Sequence, residues 1–252
     1  MDIVEPCEHR CLADLNLYDS SYCTRLATQA AAGRHLRVNS LEQVAAEVCL
    51  CEDEYSGWLL LQDLSRLQPV EMPYQVIALS EAEIRTRIAT VISFAKAAMQ
   101  QPNCYLWGGT VGPNYDCSGL MQAAFASIGI WLPRDAYQQE AFTQAVAIEA
   151  MIPGDLVFFG IAEKATHVGL YLGAGYYIHS SGQDVGRNGI GIDQLSTQGD
   201  AVSRLYYQQL RRAGRVVRSY EPSGFAVVYG GKPSCSADSP QRRGDRRGGE
   251  VI

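Results

Sequence analysis

Apolar positions change their period about a third of the way along the chain. Over residues 1–70 they alternate with polar ones, as in Asp14-Leu15-Asn16-Leu17-Tyr18 and again in Glu47-Val48-Cys49-Leu50-Cys51. An inward side chain at every second residue marks a half-buried strand. A polar turn over 52–57 then leads into an apolar strand over 58–61. Short strands joined by polar turns predict a small β-barrel over 1–70. Residues 71–80, which follow Pro69 and include Pro73, show no helical pattern and read as a linker. From residue 81 the period is helical. Ile84, Ile88, Val91, Ile92, Ala95 and Met99 share one face, and Ser80 ahead of Glu81 and Glu83 supplies an N-cap with an acidic first turn.

A second helix begins at Cys117, carries Leu120, Ala124, Phe125 and Ile128 on one face, and stops at Gly129. A shorter one is expected to run on to about Gln144. Strands follow at 156–159, 166–171 and 176–180, the last two joined through Gly173-Ala174-Gly175 as a hairpin. Further strands are expected at 191–195 and 215–219. Helices followed by neighbouring strands predict an α+β domain over 81–228. Residues 229–252 are rich in Gly, Ser, Pro and Arg and are expected to be a disordered tail.

Composition narrows the function classes. The 252 residues are 47% hydrophobic and 19% charged, enough for a sizeable core. A net charge of −6 argues against nucleic acid or an anionic membrane surface as the main partner. No run of about eighteen apolar residues is present. The opening residues lack the basic and apolar segments of a secretory signal, so a cytoplasmic location and reduced thiols are expected for the eight cysteines. Cys7, His9 and Cys11, and the pair Cys49 and Cys51, do not match two-pair zinc spacing.

The candidate chemistry centres on Cys117. A glycine-rich loop from Gly108 to Gly112 leads to it, and the helix it opens offers unpaired N–H groups and a dipole that favour a thiolate. Of the four histidines, His9, His35, His167 and His179, the last two fall on consecutive strands of the expected hairpin. A cysteine nucleophile needs a base, and the base an orienting group. A register slip of one residue turns either ring to the other face. The alternatives are a buried inert thiol with structural histidines, or Cys117, His167 and His179 as three zinc ligands.

Two stretches resemble known families. The run Glu54-Tyr-Ser-Gly-Trp-Leu59 is similar to the distal part of bacterial SH3-like domains. Tyr-Leu-Trp-Gly-Gly, Tyr-Asp-Cys-Ser-Gly-Leu, Leu-Pro-Arg-Asp, Pro-Gly-Asp-Leu-Val-Phe-Phe and Thr-His-Val-Gly-Leu-Tyr, followed by a downstream histidine, together resemble the NlpC-type cell-wall cysteine peptidases. The resemblance implies a papain-like fold, cleavage of peptidoglycan stem peptides, and no cofactor or metal. It makes Cys117 the nucleophile, His167 the base, His179 its orienting partner and Tyr105 a donor to the oxyanion beside the Cys117 N–H.

The domain order is similar to γ-D-glutamyl-L-diamino-acid endopeptidases, which trim free murein peptides. That implies a murein-recycling enzyme whose substrate is a peptidoglycan-derived peptide with a free N-terminal L-Ala. Asp135 with Glu54 and Tyr55 would hold the amine at the domain junction. Asp116 and Ser118 would contact the D-glutamate, or else cap the helix. Ala136 stands where relatives often carry serine. A general wall endopeptidase, an amidase or acyltransferase on the same fold, and a non-catalytic wall-binding module are the competing expectations.

Overall fold

The structure is a computed structural model that describes residues 8–223. The expected tail over 229–252, the end of the second domain at 228, Cys7 and Cys235 lie outside the described residues. The first lobe is a seven-stranded antiparallel sheet in the order β3-β2-β6-β5-β4-β1-β7. Its strands are β1 (Glu8–Cys11), β2 (Leu15–Tyr18), β3 (Leu26–Ala30), β4 (His35–Leu41), β5 (Ala45–Leu50), β6 (Ser56–Leu60) and β7 (Leu67–Pro69). Leu15 and Leu17 of β2, Val48 and Leu50 of β5 and Leu59 of β6 alternate into one small core. The alternation read from sequence thus marks true strands. Strands β1 and β3 escape it because their inward positions hold Cys11, Thr28 and Ala30, which carry little hydrophobic signal. Pro69 is tolerated because β7 is an edge strand, paired only with β1.

Helix α1 (Glu81–Met99) opens the second lobe. Ser80 and Glu83 close a reciprocal capping box, with the Ser80 N–H 2.8 Å from Glu83 Oε2. Ile84, Ile88, Val91 and Ala95 form its buried face. Helix α2 (Cys117–Ala126) is buried at Leu120, Met121, Ala124 and Phe125, and α3 (Ala136–Phe142) follows.

The second sheet has six strands in the order β12-β11-β10-β9-β13-β8. They are β8 (Gln144–Val146), β9 (Leu156–Gly160), β10 (Ala165–Gly173), β11 (Tyr176–Ser181), β12 (Gly189–Gln194) and β13 (Leu210–Arg215). All the pairs are antiparallel. Helices α1 and α2 cover one face. Helix α4 (Ala201–Gln208) sets Val202 and Tyr206 on the other, against Val157, Phe159 and Tyr177. Strand β9 is therefore buried on both sides, which is why Leu156-Val-Phe-Phe159 reads as a continuous apolar run. Among the described residues no helix is long and apolar enough to cross a membrane.

One strand is misplaced by the sequence pattern. The expected strand at 215–219 is β13, five residues earlier, between β9 and β8. Its run Leu-Arg-Arg-Ala-Gly-Arg reads as exposed. Yet Arg211 reaches Glu140 at 2.9 Å and Arg215 reaches Asp155 at 2.8 Å, so guanidinium groups find carboxylates that the linear pattern cannot show. Strand β8 and helix α4 were likewise not expected.

The lobes meet through the glycine-rich loop. Gly108 has φ +81, and a Cβ there would stand 2.9 Å from a Leu26 side-chain carbon and 3.0 Å from the Leu26 carbonyl of β3. Gln29 Oε1 accepts from the N–H groups of Thr110 and Val111 at 3.1 Å each. Gln122 of α2 donates to Asp53 at 2.7 Å. At Gly119 a Cβ would fall 2.0 Å from the Gly109 carbonyl oxygen. Alanine ordinarily stabilises a helix by about 1 kcal/mol over glycine. Here overpacking wins, and Gly119→Ala is expected to lower stability by about 1–3 kcal/mol in urea unfolding.

Candidate active site

A cleft of about 380 Å³ lies between the lobes, lined by Leu26, Ala27 and Tyr55 from the first and by residues including Tyr105, Cys117 and Asp135 from the second. Its floor is the start of α2, where Asp116 is the N-cap. One Asp116 carboxylate oxygen accepts from the Gly119 N–H at 2.7 Å and the other from the Gly108 N–H at 2.9 Å. Arg134, 2% exposed, grips both oxygens at 3.2 and 2.6 Å. Its Nε donates to Thr28 Oγ1 of β3 at 2.8 Å. Ser118 Oγ accepts from Arg134 at 2.9 Å and donates to Asp116 at 3.3 Å. Asp116 and Ser118 thus line the cleft with their polar atoms already engaged. Helix capping, one of the two roles expected for them, is what Asp116 performs.

Cys117 is 6% exposed at the head of α2. Burial, and then the Asp116 carboxylate, push its thiol up to about 12, against the backbone N–H groups of Val168 and Ser118 and the charge of Arg134. The helix terminus, expected to make the thiol acidic, is opposed here by burial. Desolvation of the thiolate works against the helix terminus and favours the protonated thiol.

The register question of the hairpin is answered by contact. His167 of β10 and His179 of β11 meet, with Nε2 of the first 2.6 Å from Nδ1 of the second. His179 Nε2 lies 2.6 Å from Asp193 Oδ2 on β12. Both rings are buried. Burial and then His179 hold His167 well below its ordinary value of 6.5. Burial likewise lowers His179, against the opposing effect of its hydrogen bond to Asp193. Val168, whose N–H acts on the Cys117 sulfur, follows His167 in the chain, so strand β10 passes beside the thiol where the histidine is carried. Tyr206 of α4 stacks on His167 at 4.3 Å between ring centroids, and its hydroxyl meets Ser181 Oγ at 2.7 Å.

Tyr105 also lines the cleft. Burial, and then the charges of Cys117 and Asp116, push its phenol upward, so it stays a hydrogen-bond donor. Tyr55 and half-buried Asp135 face the same space, while Glu54 is not among the lining residues. It accepts a hydrogen bond from the Tyr220 hydroxyl at 2.9 Å instead. Asp193, Tyr206 and Arg134 were missed as site residues. For Asp193 a signal existed: a lone carboxylate in Gly-Ile-Asp-Gln, inside the strand expected at 191–195. For Tyr206 there was none, because α4 itself was unrecognised.

A small strand lobe followed by helices packed on an antiparallel sheet, with a buried thiol at a helix head, is a papain-like α+β arrangement. Residues 102–210 match the NlpC/P60 family, and residues 17–64 match the bacterial dipeptidyl-peptidase SH3 domain. The chain therefore resembles NlpC/P60 proteins over its second lobe and bacterial SH3 domains over its first. It is 44% identical over 79 residues to the γ-D-glutamyl-L-lysine dipeptidyl-peptidase of Bacillus subtilis, a match over 30% of this chain and 27% of that protein. It is 42% identical over 96 residues to the bifunctional muramidase/DL-endopeptidase CwlT of the same organism, over 36% of this chain and 29% of that protein. The matched part thus spans less than a third of either relative. A crystal structure of an NlpC/P60 family protein from Bacillus cereus matches with a TM-score of 0.47 and 24% identity, over 84% of this chain and 64% of that one.

Because Arg134 is the buried counter-charge to Asp116, Arg134→Met is expected to destabilise the fold by about 3–5 kcal/mol. Asp116→Asn with Arg134→Met should recover part of that loss. Chemical denaturation of both variants checks the order.

Proposed function

We propose that the protein is a cysteine peptidase that hydrolyses the γ-D-glutamyl–diamino acid bond of stem peptides bearing a free N-terminal L-Ala. The observation that carries the chemistry is the linked set His167, His179 and Asp193, on a strand whose Val168 N–H reaches the cysteine of the cleft. His167 Nε2 is occupied by His179, which leaves Nδ1 to take the Cys117 proton. The thiolate attacks the amide carbonyl. The Cys117 backbone N–H, an orphan of the helix head, and the Tyr105 hydroxyl hold the oxyanion. His167 then returns its proton to the leaving amine, and water attacks the thioester with His167 again as base.

Support for the substrate comes from the cleft and from one relative. Asp135 and Tyr55 place a carboxylate and an aromatic ring at the interlobe end, a suitable seat for an ammonium. The relative named as a γ-D-glutamyl-L-lysine dipeptidyl-peptidase shares 44% identity over 79 residues. An intact wall acylates the L-Ala amine, so a free amine belongs to released murein peptides, which fits a recycling role. A general wall endopeptidase is the second reading, favoured by the match to CwlT.

Cys117→Ala is expected to remove turnover of L-Ala-γ-D-Glu-diaminopimelate while leaving the thermal midpoint near that of the parent. N-acetylating that peptide should slow cleavage at least tenfold by mass spectrometry, as roughly 1.4 kcal/mol of amine recognition would give. Equal rates on free and blocked peptides point to the wall endopeptidase. The depressed histidines set the pH profile. A base must be neutral to accept a proton, and a lowered value keeps it neutral to lower pH. kcat/KM is therefore expected to persist through pH 6.5, the ordinary histidine value, and to fall only below it.

A further inference from the structure

Asp193 is 3% exposed and is held from several sides. Its Oδ2 faces His179 Nε2 at 2.6 Å. Its Oδ1 accepts from Arg187 Nη2 and, at 3.3 Å, from Ser203 Oγ at the start of α4. Arg187 also stands 3.5 Å from Asp200, the N-cap of α4. The charged and titratable groups around His179 are therefore His167 on β10, Asp193 on β12, Arg187 in the loop before β12, and Tyr206 and Asp200 from α4, with Tyr177 on its own strand.

We propose that Asp193 is a positioning residue that fixes both imidazoles in the tautomer able to receive the thiol proton, and that Arg187 counteracts it by binding the same carboxylate. The proposal rests on the assignment of Cys117 and His167 made above.

The tautomers follow from donor counting. Burial works to raise the Asp193 carboxyl, but the hydrogen bond and charge of His179 and the charge of Arg187 outweigh it and hold it below the ordinary carboxylate range. An ionised carboxylate only accepts, so His179 must present Nε2–H to it. A neutral imidazole carries one N–H, which leaves His179 Nδ1 as an acceptor. His167 must then present Nε2–H across the 2.6 Å contact. Its Nδ1 is left bare, as a base requires. An asparagine at position 193, whose neutral amide NH2 can donate, would permit the opposite order and place a hydrogen on His167 Nδ1.

The same geometry gives Asp193 and Arg187 opposite effects. The carboxylate favours a proton on the histidine pair, and the guanidinium disfavours it. A proton on His167 favours the Cys117 thiolate. The test needs no substrate. The rate at which iodoacetamide alkylates Cys117 is followed against pH, with mass spectrometry of the Cys117 peptide so that Cys23, Cys49 and exposed Cys104 do not contribute. Asp193→Asn is expected to move the alkylation midpoint to higher pH, and Arg187→Gln to lower pH, each by roughly half to one unit. A residue that merely supports β12 cannot produce shifts of opposite sign. Midpoints that stay with the parent, or that move together, overturn the proposal. If Asp193→Asn fails to fold, as judged by circular dichroism, the acid-ward shift of Arg187→Gln carries the test alone, and an unmoved or alkaline midpoint overturns the proposal. Turnover by Cys117→Ala would instead sink the assignment of the nucleophile, so the two failures are distinguishable.

Discussion

The buried charge of Arg134 is the constraint to which the rest of the site conforms. A guanidinium taken out of water is stable only if it is answered by a carboxylate and further hydrogen bonds. Asp116 supplies the carboxylate, Ser118 and Thr28 the remaining acceptors. Each partner belongs to a different part of the architecture: the cap of the cysteine helix, its first turn, and an edge strand of the first lobe. Asp116 in turn holds the loop N–H of Gly108 and the helix N–H of Gly119. One ion pair thereby sets the loop, the helix head and the lobe interface together. Replacing any member would leave a buried group unanswered, which is why the cleft has a defined shape before any substrate enters.

Within that frame the thiol and its base are governed by desolvation. A helix terminus contributes partial charges, but removing a sulfur from water penalises its anion more, and Asp116 adds repulsion at close range. Burial favours the uncharged form of the thiol and of both imidazoles. Under the proposed assignment, the path of the thiol proton depends on the direction of the hydrogen bonds linking His167, His179 and Asp193. Tyr206 supports that direction physically. Stacked on His167 and anchored to Ser181, it keeps the ring in plane and keeps water away from one of its faces. The arrangement spends part of the fold's stability on buried polar groups that an apolar core would not contain.

The first lobe contributes more than a separate binding module. Strand β3 closes over the glycine-rich loop through Gln29 and Thr28, and Asp53 reaches Gln122 on the cysteine helix. The lobe supplies one wall of the cleft, with Tyr55 facing Asp135 across it. The acidic sequence Glu52-Asp-Glu54 divides its work. Glu52 and Asp53 pair with buried Arg34, and Glu54, at φ +55, turns away to Tyr220. Adjacent residues with similar chemistry thus meet different fates because the backbone points each side chain separately.

The sequence by itself determined the strands of the first lobe that alternate strongly, the capped helix at Glu81, the cysteine at a helix head and the hairpin that carries both histidines. Each of these follows from local periodicity, capping or turn chemistry, which act over a few neighbouring residues. Only the tertiary structure decided the strand at 210–215, whose arginines look exposed until Glu140 and Asp155 appear beside them. It also set the direction in which the Cys117 thiol is shifted, because burial is a property of packing and not of helix position. The joining of Asp193 to the histidine pair belongs to the same class. His179 and Asp193 are separated along the chain by a loop and a change of strand, and what brings them within 2.6 Å is the register of β11 on β12, which no local pattern encodes.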